Sequence, residues 1–128
     1  MAHNELPVKD APSTGSPSVD AEHGVQLGLL AAALSAFDPE DDGDAAELLD
    51  QLYVYTQAHF MSEQLLMRLA ARANYDAHIE DHESLMTELD EVGVLLGRGD
   101  HAAAREQLLS HHDHLLDHIR SWDRSIKD

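Results

Sequence analysis

The sequence contains no cysteine. That excludes disulfides and iron–sulfur ligation, and it leaves His, Asp and Glu as the strong metal ligands available. No run approaches the roughly 20 consecutive apolar residues of a membrane-spanning helix. The stretch from Met1 to Asp20 has no apolar core of the kind a secretory signal needs, so a cytoplasmic location is expected. Basic residues are scarce: 8 Lys and Arg stand against 25 Asp and Glu, for a formal net charge of −17 with His neutral. Such a surface repels nucleic-acid phosphates and anionic lipid headgroups alike. Neither nucleic acid nor membrane is therefore expected as a partner, and the charge favours a soluble monomer. Proline is nearly absent beyond the first 19 residues, which hold Pro7, Pro12 and Pro17 and leave only Pro39.

Histidine, by contrast, is abundant. Ten of the 128 residues are His, and seven of these fall between His78 and His118. They are spread through the chain instead of forming a contiguous tract, which makes a metal site the natural question.

The length fits one domain with a single modest core. Residues 1–19, rich in Pro, Ser, Thr and Gly15, read as an extended N-terminal arm, and residues 20–128 as one helical domain. The hydrophobic period after the arm is helical throughout. A first helix is expected from about Asp20 to Phe37, with His23, Leu27, Leu30 and Leu34 on one stripe. A second runs from about Ala45 to Ala73, capped by Asp44, with Leu48, Leu52, Tyr55, His59, Glu63, Leu66 and Ala70 aligned. A third spans about Tyr75 to Leu96, with His78, His82, Leu85, Leu89 and Val92. The turn Gly97-Arg98-Gly99-Asp100 supplies a glycine C-cap and an Asp100 N-cap. A fourth helix covers about His101 to Ile126, with Leu108, His111, Leu115, His118 and Trp122. Short connections between long helices predict an all-α, antiparallel, up-down-up-down four-helix bundle.

Each helix carries a ligand-type residue on its apolar stripe. These are His23; His59 and Glu63; His78 and His82; and His118, followed by Asp123. Pairs spaced i, i+4 point to one centre from one face. The i, i+5 pair His118 and Asp123 diverges more, which still serves if Asp123 sits at the edge of the face and bridges two ions. Taken singly, each has a plain explanation. A lone His23 is ordinarily a hydrogen-bonded core residue, His59 with Glu63 an ordinary helical ion pair, and His78 with His82 a surface pair. Jointly they do not: seven burial-averse groups on the inward stripes of four helices are costly without a common partner, and a metal cluster is such a partner. Five imidazoles and two carboxylates exceed one tetrahedral zinc. They suit two near-octahedral ions, and the mixed nitrogen and oxygen set suits iron. The Glu-x-x-His motifs of ferritin-like di-iron bundles are missing from the matching places.

The segments His59-Phe60-x-x-Glu63, Tyr75-x-x-His78-x-x-x-His82 and His118-Ile119-x-x-x-Asp123 resemble the hemerythrin family in its bacterial branch. Thr14-Gly15 and Val19-Asp20-x-x-His23 resemble that family's arm and first-helix motif, so the likeness extends over about residues 13–126. The resemblance implies that His78, His82 and His118 hold one iron and that His23 and His59 hold the other. It implies that Glu63 and Asp123 bridge the pair together with an oxo or hydroxo group. It also implies that the two-His iron, one ligand short, binds dioxygen reversibly in a carrier, store or sensor, without being an enzyme. A di-iron enzyme acting on peroxide or nitric oxide, and an iron store or sensor, are the alternatives.

Departures from the family pattern are local. Gln64 stands where Glu is common, and is expected to be a surface change. Leu115 matches an apolar residue that lines the oxygen pocket, with Phe60 and His114 as further expected lining. His114 stands where the family usually has Trp. It is expected either to wet the pocket and donate a proton there, or to be a surface member of the run His111-His112-Asp113-His114. That run is a poor second metal site, because helical spacing spreads its members around the axis. Trp122, Met61, Met67 and Met86 need no special role.

Overall fold

The computed structural model describes residues 17–37, 43–69 and 75–121. Among these there are four helices and no strand: α1 Pro17–Ser35, α2 Gly43–Leu69, α3 Tyr75–Gly97 and α4 His101–Ser121. The expected start of α1 is corrected by one turn. Pro17, Ser18 and Val19, assigned from sequence to the arm, form its first turn. The reason is local: the fixed φ of proline suits the first helical position, where a missing N–H costs nothing. Val19 also buries itself against Met67. The rest of the arm, and the expected helical residues 70–73 and 122–126, lie outside the described residues.

Side-chain pairs fix the helix directions. Late α2 meets early α3 at Gln64 and His82, while early α2 meets late α3 where Leu49 approaches Gly93. Late α3 meets early α4 at Glu91 and Gln107, and early α3 meets late α4 at Asp81 and His118. Gln26 of α1 bonds Thr56 of α2, while the earlier Glu22 bonds the later His59. Every sequential pair is therefore antiparallel. Because α4 also packs on α1, the four helices close into a bundle.

The stripes expected for α1 and α3 are buried as read, Leu30, Leu85 and Val92 completely. On α2 the buried face is rotated slightly from the expected one. Leu49, Thr56 and Met67 are buried, while Leu48, Tyr55 and Leu66 flank the face. Both sets share Leu52, His59 and Glu63. Two rows three and four residues apart run side by side on any helix, and only the neighbours decide which row faces in.

The α3–α4 turn closes as its residues predict. Gly99 takes a left-handed φ of 80°, the conformation that glycine adopts without a Cβ penalty. Asp100 N–H donates to the Leu95 carbonyl at 3.0 Å, and the Ala103 N–H donates to the Asp100 carboxylate at 3.4 Å.

The leucine core occupies one end of the bundle. Leu30, Leu34, Leu52, Leu89, Val92, Leu96 and Leu108 lie toward the connections that join α1 to α2 and α3 to α4. The other end, toward the α2–α3 connection, is where the inward stripes turn polar.

Candidate metal centre

Six of the seven expected ligands converge at that polar end. His23, His59, Glu63, His78, His82 and His118 are each at most 3% exposed. They fall into two groups with one shared member: Glu63, His78, His82 and His118 form the first, and His23, His59 and Glu63 the second. Glu63 faces both. Its Oε2 is 3.2 Å from His23 Nε2 and 2.9 Å from His59 Nε2, and its Oε1 is 3.1 Å from His82 Nε2. Within the three-His group, His118 Nε2 is 3.3 Å from His78 Nε2 and 3.1 Å from His82 Nε2. The seventh expected ligand, Asp123, lies outside the described residues, as does Trp122.

The outward nitrogens decide what the inward ones can do. Carboxylates accept from two of these rings: His59 Nδ1 meets Glu22 Oε1 at 2.5 Å, and His118 Nδ1 meets Asp81 Oδ2 at 2.6 Å. A carboxylate can only accept, so each Nδ1 is the protonated nitrogen. A neutral ring then turns a bare Nε2 inward. His59 would present that lone pair 2.9 Å from a carboxylate oxygen of Glu63. His118 would present one toward the Nε2 atoms of His78 and His82. Such an arrangement needs a positive charge between the donors, either protons or a cation. The donor set therefore fits a metal pair, and carboxylate–imidazole pairing behind a ligand is the usual support for one.

Ionisation follows the same geometry. Burial works against the charged form of His59, but the hydrogen bonds and charges of Glu63 and Glu22 outweigh it and its pKa is raised. For His82 burial wins, and its pKa is lowered despite Glu63. Asp81 is pulled down to about 2, chiefly by the hydrogen bond from His118, against the cost of burial and with help from His114.

Other sequence-derived residues take distinct places. Phe60, 3% exposed, stacks on His82 with ring centroids 3.9 Å apart and planes 5° apart. Leu115 is buried in the same apolar cluster as Phe60. Gln64 does not behave as a surface residue, and that expectation is corrected: its Nε2 donates to His82 Nδ1 at 3.2 Å. His114 stands apart from the donor cluster. Both its nitrogens are spent on α3 carboxylates, Nε2 on Asp81 at 2.8 Å and Nδ1 on Glu88 at 2.6 Å. His111 and His112, in the same run, are buried. Sequence reading missed Glu22, Asp81 and Glu88. Each lies off the apolar stripes in a chain with 25 acidic residues; Glu22 and Asp81 could have been marked only by standing next to His23 and His82, and Glu88, six residues beyond His82, by nothing.

Fold and site together define an all-α bundle with a histidine- and carboxylate-lined centre able to hold metal. The profile of the hemerythrin HHE cation binding domain matches residues 14–128, and the chain belongs to the hemerythrin family. It is 29% identical to a protein named bacteriohemerythrin from Pseudomonas paraeruginosa (strain DSM 24068 / PA7), over 129 aligned positions covering 100% of this chain and 82% of that one. Bacteriohemerythrins from Pseudomonas aeruginosa strains LESB58 and UCBPP-PA14 match at the same 29% identity and the same coverage. No solved structure matches the chain. Among the described residues, no helix is long and apolar enough to cross a membrane.

Proposed function

We propose that this chain holds a pair of iron ions and binds dioxygen reversibly at one of them, as a carrier, store or sensor. The observation that carries the reading is the unequal division of donors around Glu63, with three imidazoles on one side and two on the other. The two groups together offer more donors than one tetrahedral zinc takes, and the nitrogen and oxygen mixture suits iron. The side with fewer ligands keeps a position for an exogenous molecule. Asp123 is proposed as a second bridging carboxylate. A ferrous pair held there would supply the two electrons that bound dioxygen takes up and returns on release.

The protein's own residues do the rest. Glu63, with Oε2 beside His23 and His59 and Oε1 beside His82, would help hold both ions. Glu22 and Asp81 fix the rings of His59 and His118 in the tautomer that leaves Nε2 bare. Phe60, stacked on His82, and Leu115, in the same apolar cluster, border the donors with apolar side chains that keep water away, which protects a bound oxygen from proton delivery.

The optical spectrum of the reduced protein after exposure to air tests this. A visible oxygen-to-iron charge-transfer band that disappears when oxygen is removed is expected. Zinc alone in protein grown with ample iron would overturn the metal assignment. Rapid peroxide turnover without any oxygenated form would replace the carrier reading with an enzymatic one. Replacing His59 with Ala is expected to abolish oxygen binding while iron remains on the three-His side.

A further inference from the structure

A row of alternating imidazoles and carboxylates leaves the donor cluster along the α3–α4 seam. His118 Nδ1 donates to Asp81 Oδ2 at 2.6 Å. Asp81 Oδ1 accepts from His114 Nε2 at 2.8 Å. His114 Nδ1 donates to Glu88 Oε2 at 2.6 Å, and Glu88 Oε1 accepts from His111 Nδ1 at 3.0 Å. Asp81 and Glu88 are seven residues, two turns, apart on α3, so they share a face, and one ring from α4 spans the gap between them.

We propose that His114 is a positioning residue for the three-His side of the centre, acting on His118 through Asp81. A carboxylate held at one oxygen can pivot about its side-chain torsions. A carboxylate held at both oxygens cannot. Asp81 is partly exposed, at 22%, so without His114 nothing stops it from turning to water and releasing His118 Nδ1. Glu88 anchors the far side of the His114 ring, and His111 anchors Glu88 from a fully buried position. The row thus transmits the rigidity of the buried core to a partly exposed carboxylate behind a donor. Partners behind metal-ligating histidines affect affinity by about 10- to 100-fold, and His114 supports such a partner at one remove.

The proposal rests on the three histidines of that side serving as metal donors, but its first test needs no metal. In the metal-free full chain, proton NMR of imidazole N–H groups is expected to show a downfield, slowly exchanging His118 Nδ1 proton, identified by its loss in Asp81→Asn. His114→Leu is expected to broaden or erase it, and His114→Gln, whose amide still reaches Asp81, to retain it. The second test titrates the full chain with zinc against a chelator. His114→Leu is expected to weaken the tighter site about tenfold, and Glu88→Gln to weaken it less. Glu88→Gln also carries the NMR test if His114→Leu does not fold. A His118 proton signal unchanged in both variants overturns the proposal, even in a protein that binds iron and oxygen fully. A chain that holds zinc instead of iron, yet loses the signal as described, would overturn the oxygen-binding reading and leave this one standing.

Discussion

Glu22 Oε1 lies 2.5 Å from Nδ1 of His59, so a carboxylate of α1 that is 38% exposed sets the proton and the orientation of a buried α2 imidazole. The pair stands on the side of the centre with fewer donors. Glu22→Gln is expected to reduce metal affinity there by about 10- to 100-fold, and to leave the three-His side occupied. Metal content after graded dialysis against a chelator would check this. Equal loss from both sides would detach Glu22 from the centre.

Gln64 makes a prediction of opposite sign. Its Nε2 donates to His82 Nδ1, which requires the tautomer with the proton on Nε2. A metal at Nε2 requires the other tautomer, and then the Gln64 amide has to offer its oxygen. Gln64→Glu provides an acceptor outright. Metal affinity of the three-His side is expected to rise, by up to about tenfold, read from zinc competition with a chelator. Gln64→Leu is expected to lower it.

The pH dependence of the metal-free protein should separate two neighbours on α4. Burial opposes the charge on His114, but Asp81 and Glu88 prevail and raise its pKa above 6.5. Its stabilising contribution is therefore fully present below pH 6.5 and is lost as pH rises through the raised value. Burial instead lowers the pKa of His111, against the pull of Glu88. Its contribution is present above pH 6.5 and is lost as pH falls through the lowered value. The stability gap between wild type and His114→Leu, from urea unfolding, is expected to be widest below pH 6.5 and to narrow as pH rises through the raised pKa of His114. His111→Leu is expected to gain on the wild type as pH falls.

The leucine end should govern stability without metal. Leu52 is 0% exposed, and Leu52→Ala is expected to cost about 2–5 kcal/mol. That corresponds to a drop in Tm of roughly 10 °C or more for a domain of this size. The drop should appear in metal-free and metal-loaded protein alike, while loading itself raises Tm in both. Differential scanning calorimetry of the four samples measures it.

The sequence makes the helices and donors legible for one reason: both depend on position along a stripe. His78 and His82 sit in line with Leu85 and Leu89, and a histidine in a row of leucines stands out. Asp81 does not, although its Oδ2 lies 2.6 Å from His118 Nδ1. It lies on a polar flank, where an acid that accepts from an imidazole looks the same as one that faces water. Gln64 was misread on the same ground. The α2 face shows a second limit, since Leu48 and Leu49 are equally apolar and only the packing of α1 and α3 chooses between them. His114 is the residue whose role changes most. Its departure from the family pattern is plain in the sequence, but its bonds to Asp81 and Glu88 are not.

The two-ended layout has a consequence for how the protein is assembled. At the leucine end the chain ties α1 to α2 and α3 to α4, while the donor end carries only the α2–α3 connection. The apolar cluster contains none of the donor histidines, so its packing does not wait for an ion. Metal loading after folding is therefore expected, with occupancy set by the supply of metal and not by the rate of synthesis.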